Sequence, residues 1–114
     1  MVAVRSYSRR APASPKKLRL ILNEVRGKRV DEAMALLRFM TSPHSELIAK
    51  AVRSAAANAE NNYDMDPRRL RVIQAFAGDA DKVRRVLPRA RGRGDIMRRR
   101  SSNITIVVEE EEEN

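Results

Sequence analysis

"RLRVIQAF" (Arg69–Phe76) and "SNITIVVEE" (Ser102–Glu110) decide the fold. The first is rich in β-branched and large apolar residues. The second alternates Ile104, Ile106 and Val108 against Asn103, Thr105 and Val107, a period of two that predicts a strand. If the two pair antiparallel, everything between them becomes an extended β-hairpin. At ~3.3 Å per residue, an arm of about a dozen residues each way reaches on the order of 40 Å. The opening "VAVRSYS" (Val2–Ser8) supplies a third strand, which helps because an isolated two-stranded ribbon is only marginally stable.

The segment between the strands, "KVRRVLPRARGRGDIMRRR" (Lys82–Arg100), carries nine Lys or Arg against the single Asp95. That density costs self-repulsion that a plain linker has no need to bear. Ordering each residue also costs about 1–2 kcal/mol of backbone entropy, and the stretch from Val86 to Gly94 offers little apolar surface to offset it. Arg outnumbers Lys, which favours forked contacts to phosphates and stacking on bases. Gly92 and Gly94 let the backbone lie close to a partner while the guanidiniums reach sideways. The segment lacks the Gly-Lys-Ser/Thr ending of a phosphate loop, and Pro88, Gly92 and Gly94 would break an amphipathic membrane helix.

Three helices are predicted upstream. "SPKKLRLILNEVRG" opens with Ser14 as N-cap and Pro15 at the first helical position, spaces Leu18, Ile21, Leu22 and Val25 along one face, and stops at Gly27. Its other face carries Lys16, Lys17 and Arg19 at the N-terminal end, where the helix dipole disfavours cations; that conflict suggests an external anion. "VDEAMALLRFM" predicts a structural helix with Asp31 as N-cap and Ala33, Met34, Leu37 and Met40 facing the core. "SPHSELIAKAVRSAAANAENN" starts at Ser42 and Pro43 and places Leu47, Ile48, Ala51, Val52, Ala55, Ala56 and Ala59 on one face, small enough for another backbone to approach closely.

The 114 residues, 42% of them hydrophobic, suffice for one small core with an appendage. Leaving out Glu109–Glu113 lowers the acids from 15 to 10 and raises the net charge from +9 to +14, so the body is more basic than the total implies. A polyanionic partner follows, since each cation meeting a nucleic-acid phosphate releases counterions. Without Cys there is no disulfide or thiolate site, and no run approaches the ~18 to 20 apolar residues that span a bilayer. The amino terminus lacks the apolar stretch of a secretory signal, so a cytoplasmic protein is expected. Catalysis lacks parts: His44 is the single histidine, and Asp64, Asp66, Asp79 and Asp81 fit turns and strand ends better than a calcium loop. With aromatics limited to Tyr7, Phe39, Tyr63 and Phe76, the expected mode is shape and backbone binding to RNA. The chief rival is a DNA-bending protein with Leu87-Pro88 as a wedge, which would normally work as a dimer.

"VLPRARGRGDIMRRRSSNITIVV", "SAAANAENN" and "SPKKLRLILNEVRG" together closely resemble the universal L-twenty-two family of large-subunit ribosomal proteins, across Val4 to Val108. The resemblance implies an α+β fold: three helices packed on a small three-stranded antiparallel sheet, with a long protruding β-hairpin. It implies a single domain over residues 1–108 with the hairpin arm at about 76–100, while the composition of residues 109–114 reads as a disordered acidic tail, with shielding of the basic body before assembly as the sharper alternative. The implied role is structural: binding large-subunit (23S-type) rRNA, helping its assembly, and lining the nascent-peptide exit tunnel. The implied partners are that rRNA, neighbouring ribosomal proteins and the nascent polypeptide. The protein would act as a monomer within the ribosome, without cofactor, metal or membrane.

The tunnel tip would be Val83, Arg84, Arg85, Val86, Leu87, Pro88, Arg89, Ala90 and Arg91. The rRNA-binding set would be Lys16, Lys17 and Arg19 on the body, with Lys82, Arg84, Arg85, Arg89, Arg91, Arg93, Arg98, Arg99 and Arg100 on the arm. Two departures from the family pattern stand out. Ala80-Asp81 replaces a common Gly-Pro pair, and the chain ends in "EEEEEN".

Overall fold

The computed structural model of the chain describes residues 3–80, 83–88, 94–99 and 101–111, with 83–88 and 94–99 as backbone only. In chain order the elements are β1 (Ala3–Ala11), α1 (Pro15–Val25), α2 (Val30–Phe39), α3 (Ser45–Tyr63), a short 3-10 turn (Pro67–Arg69), β2 (Leu70–Asp79), β3 (Val83–Pro88), β4 (Gly94–Arg99) and β5 (Ser102–Glu110). The architecture is α+β. β5 lies at the centre of a three-stranded sheet between β1 and β2, antiparallel to both, while β3 and β4 pair antiparallel as a separate ribbon.

The alternation along β5 separates two faces. Ile104, Ile106 and Val108 are fully buried, and their register partners Val4 on β1 and Val72, Ala75 and Ala77 on β2 are buried with them. The helices cover this side: α1 packs on β2, α3 on β1 and β5, and α2 on α3. The alanines of α3 at 51, 55 and 59 have no exposed surface, so the helix backbone comes close enough for Ser6 Oγ to donate a 2.8 Å hydrogen bond to the Ala51 carbonyl. A second buried hydroxyl, Ser102 Oγ, donates to the Ala13 carbonyl at 2.6 Å and ties the start of β5 to the turn before α1.

Helix ends follow local chemistry. α1 begins with Pro15 after Ser14, and its buried stripe is Pro15, Leu18, Ile21, Leu22 and Val25. It ends where Gly27 takes φ +84°, a left-handed conformation that glycine adopts without Cβ strain, and the Gly27 N–H donates to the Val72 carbonyl at 2.8 Å. α2 starts two residues earlier than the expected Asp31 cap implies. Arg29 is the N-cap, because an isolated bridge between Arg29 and Arg71 fixes the backbone there, while Asp31 and Glu32 occupy the first turn. Met34 and Met40 pack at the core's margin and are only partly buried. α3 starts at Ser45 instead of Ser42, since the Ser42 carbonyl accepts bonds from the Ser45 N–H and hydroxyl and so closes a turn first.

Two sequence-based boundaries move. β2 stays paired with β5 as far as Asp79 opposite Ser102, and the Ala80 N–H donates to the Ser101 carbonyl at 3.0 Å. Residues 76–79 therefore belong to the sheet, and the arm starts after Ala80. The acidic run expected to be a disordered tail from Glu109 is instead strand through Glu110, with Glu111 anchored by arginines. Residues 112–114 lie outside the described residues.

Candidate nucleic-acid interface

The arm leaves the sheet from the ends of β2 and β5, whose pairing fixes its root. In the β3–β4 ribbon, Val83 faces Arg99 in register, Arg84 faces Arg98, Arg85 faces Met97, Val86 faces Ile96, Leu87 faces Asp95 and Pro88 faces Gly94. Two arginines directly opposite one another, at 84 and 98, disfavour pairing unless an anion lies nearby. Of the expected arm residues, Lys82, Arg89, Ala90, Arg91, Arg93 and Arg100 lie outside the described residues. The side chains of Val83, Arg84, Arg85, Val86, Leu87, Pro88, Arg98 and Arg99 do so as well.

On the body, Lys16, Lys17 and Arg19 are all exposed along α1, opposite its buried stripe, and the first turn holds no acid to balance them. Arg19 has a further task. Its guanidinium donates to the Ala77 carbonyl at 3.4 Å, and Arg26 donates to the Ala75 carbonyl and to Asn23 Oδ1. β2 is an edge strand, so these arginines occupy carbonyls that would otherwise offer a template for another chain.

A second group of cations is consumed internally. Glu111 accepts from Arg71 and lies 3.3 Å from Arg29, and the Arg69 guanidinium donates to the Glu111 carbonyl. Glu110 accepts from the Asp66 backbone N–H at 2.7 Å and lies 3.6 Å from Arg69. The hydrogen bond from Arg71 holds the Glu111 carboxyl below the usual carboxylate range, against a partial loss of water, with the charges of Arg71, Arg29 and Arg69 adding to the effect. The Arg68 backbone N–H does the same for Asp66, the N-cap of the 3-10 turn. The anchoring role of the first glutamates is invisible in sequence, where a five-residue acidic run reads as solvated tail.

Two of the four aromatics also take up an unexpected arrangement. Tyr7 and Phe76 are both register partners of Thr105, one on each side of β5, on the face that carries no helix. The sequence signal was present: exposed Arg5, Tyr7 and Arg9 alternate with buried Val4 and Ser6 along β1.

Among the described residues no group of three His, Cys, Asp or Glu could hold a metal ion, and no helix is long and apolar enough to cross a membrane. His44 is the N-cap residue of α3, its N–H bonded to Ser42 Oγ at 3.2 Å. Asp64 ends α3 in the left-handed conformation and Asp79 closes β2.

A family model described as ribosomal protein L22p/L17e matches residues 6–109. A large ribosomal subunit protein uL22 from Thermoanaerobacter sp. (strain X514) is 51% identical over 108 residues, covering 95% of this chain and 97% of its own length. The protein of the same description from Dehalococcoides mccartyi (strain CBDB1) is 51% identical over 92 residues, covering 81% and 84%. That from Desulforamulus reducens is 46% identical over 100 residues, covering 88% of each chain. With a match across the sheet, the helices and both ends of the arm, the chain belongs to the ribosomal protein L22p/L17e family.

Proposed function

We propose that this chain, a structural component of the large ribosomal subunit, binds large-subunit rRNA through its basic arm and the exposed cations of its body, and that the arm lines the nascent-peptide exit tunnel. The observation that carries the reading is a segment with nine cations in residues 82–100 whose flanking strands, β2 and β5, pair in the folded sheet. A ribbon so charged gains order where phosphates flank it, because counterions leave the RNA as the guanidiniums arrive. Lys16, Lys17 and Arg19 serve as the body-side contacts, and Lys82, Arg84, Arg85, Arg89, Arg91, Arg93, Arg98, Arg99 and Arg100 as those of the arm. Residues 83–91 form the tunnel tip.

In this role the chain works as a single copy in the bacterial cytoplasm, without catalysis or cofactor. Its partners are 23S-type rRNA, neighbouring large-subunit proteins and the passing polypeptide. Binding early in assembly orders several rRNA helices around the body before the arm is enclosed.

The test places a photocrosslinking amino acid at Leu87 and irradiates ribosomes that carry nascent chains of defined length. Crosslinks to the nascent chain and to large-subunit rRNA are the expected outcome. Incorporation into the subunit with crosslinks to neither overturns the tunnel assignment, and recovery of chromosomal DNA instead of rRNA overturns the reading as a whole.

A further inference from the structure

We infer that the helix-free face of the sheet is a second RNA contact, one that takes unpaired bases on Tyr7 and Phe76 and their phosphates on Arg5 and Arg9. The inference rests on the rRNA-binding reading above but adds a surface and a mode of recognition that the arm does not supply.

An antiparallel sheet covered on one side is expected to present polar residues to water on the other. Here the uncovered side presents Tyr7 at 52% exposure and Phe76 at 50%, half of the chain's four aromatic residues. Thr105, directly between them in register, is only 5% exposed although no helix lies over it, so its neighbours on that face shield it. Two strand spacings separate the aromatic positions, about 10 Å. Each ring keeps its own accessible surface, so the pair forms two adjacent stacking positions.

The charge around the rings matches a nucleic-acid strand. Arg5 and Arg9 flank Tyr7 on the same exposed side of β1, and the Arg9 guanidinium lies 5.6 Å from the Tyr7 ring centroid. Gln74 and Gly78 flank Phe76 on β2, so no acid neighbours either ring along its strand. Among the described residues the strand carboxylate in register on this face is Glu109, in the row of Ala3 and Arg71 at the opposite end of the sheet from the arm, where Glu111 also bonds Arg71. The aromatic row, in contrast, lies three residues before the end of β2, close to where the arm departs. A strand that follows the arm's phosphates can therefore continue onto the sheet, passing the exposed Asp79 at the end of β2 before it reaches the aromatic row.

Unpaired bases are the ligand because a π-face is available only when a base has left its helical stack. Stacking on an aromatic ring tolerates any base and so adds affinity without sequence reading. A duplex would offer this face phosphates and sugars alone, and the two rings would gain nothing.

The experiment uses the full chain carrying Tyr63→Phe. With no Trp present, Tyr7 is then the only tyrosine and its emission reports on this face. A 12-nucleotide single-stranded RNA should quench that emission on binding. Heparin, a polyanion without bases, should bind and leave the emission unchanged. Phe76→Ala in the same background should weaken the oligonucleotide by roughly 5- to 150-fold and leave heparin affinity unaltered. Equal quenching by heparin would mean that displacement of Arg9 is being read, and binding of RNA without quenching, or with no effect of Phe76→Ala, would mean that bases do not stack here; either overturns the inference. If a large-subunit rRNA fragment still binds with unchanged affinity, the failure is confined to this face. If no RNA binds at all, the rRNA-binding reading fails with it.

Discussion

Two pairs of arginines offer a test in which formal charge is constant and structure alone differs. Arg84→Gln with Arg98→Gln removes two positive charges from register partners on the arm. Arg29→Gln with Arg71→Gln removes two from the body, but both of those guanidiniums are already engaged by Glu111. If each arm arginine neutralises one phosphate, the slope of log affinity against log salt falls in magnitude by about 1.4 to 1.8 for the arm pair, from ~0.7 to 0.9 per contact. The advantage of the parent over the arm variant should then shrink by about 7- to 12-fold as salt rises from about 50 to about 200 mM. For the body pair the slope should change much less, since Glu111 already engages both cations. Fluorescence anisotropy with a labelled large-subunit rRNA fragment measures both lines, and circular dichroism checks that the body pair remains folded. Equal slope changes in the two variants would refute the argument, because binding would then follow net charge and not the arrangement of the arm.

Ile106→Ala, in the middle of the central strand and flanked by Ser6 and Ala75, should lower unfolding stability by about 2–5 kcal/mol in a urea titration, and a loss below about 1 kcal/mol would show that the neighbours collapse into the space. Gly27→Ala should cost about 1 kcal/mol or more, since φ +84° strains any side chain there; an unchanged midpoint would mean that the turn relaxes. Glu111 and Asp66 are held below their unfolded pKa values, so the unfolded chain binds more protons in acid. Their contribution is present above the ordinary carboxylate range and lost as pH falls through the depressed folded values. Denaturant midpoints measured against pH should drop across that window, and less steeply in Glu111→Gln; superimposable profiles for the two proteins would remove Glu111 from the account.

Apolar periodicity made most of the architecture legible. Leu18, Ile21, Leu22 and Val25 announce α1, and Ile104, Ile106 and Val108 announce the buried side of β5, because burial of one face imposes its period directly on residue type. Starts were less legible where a tertiary contact overrode local chemistry. Asp31 is a better cap than Arg29 by propensity, yet the bridge to Arg71 sets where α2 begins. The roles of charged residues were hardest to read. Arg19 and Lys16 look alike on a helix face, but Arg19 donates to an edge carbonyl, and that depends on which strand lies beside α1. Glu110 and Glu111 read as tail because their partners, Arg69, Arg71 and Arg29, are some 40 to 80 residues away along the chain. The pairing of Tyr7 with Phe76 was hidden for the same reason, since it exists only through the register of a third strand.

The central place of β5 also constrains when the protein can exist. β1 and β2 do not touch as sheet neighbours; both take their hydrogen bonds from a strand that is synthesised after them and after the whole basic arm. During translation the arm's cations therefore emerge before the body has closed, attached to a chain whose first strand still awaits its partner. A product terminated anywhere before Ser102 leaves β1 and β2 with bare edges and the apolar sides of three helices uncovered. Such fragments carry unpaired strand edges and are not weakened versions of the finished protein, so the topology makes closure of the body wait for β5.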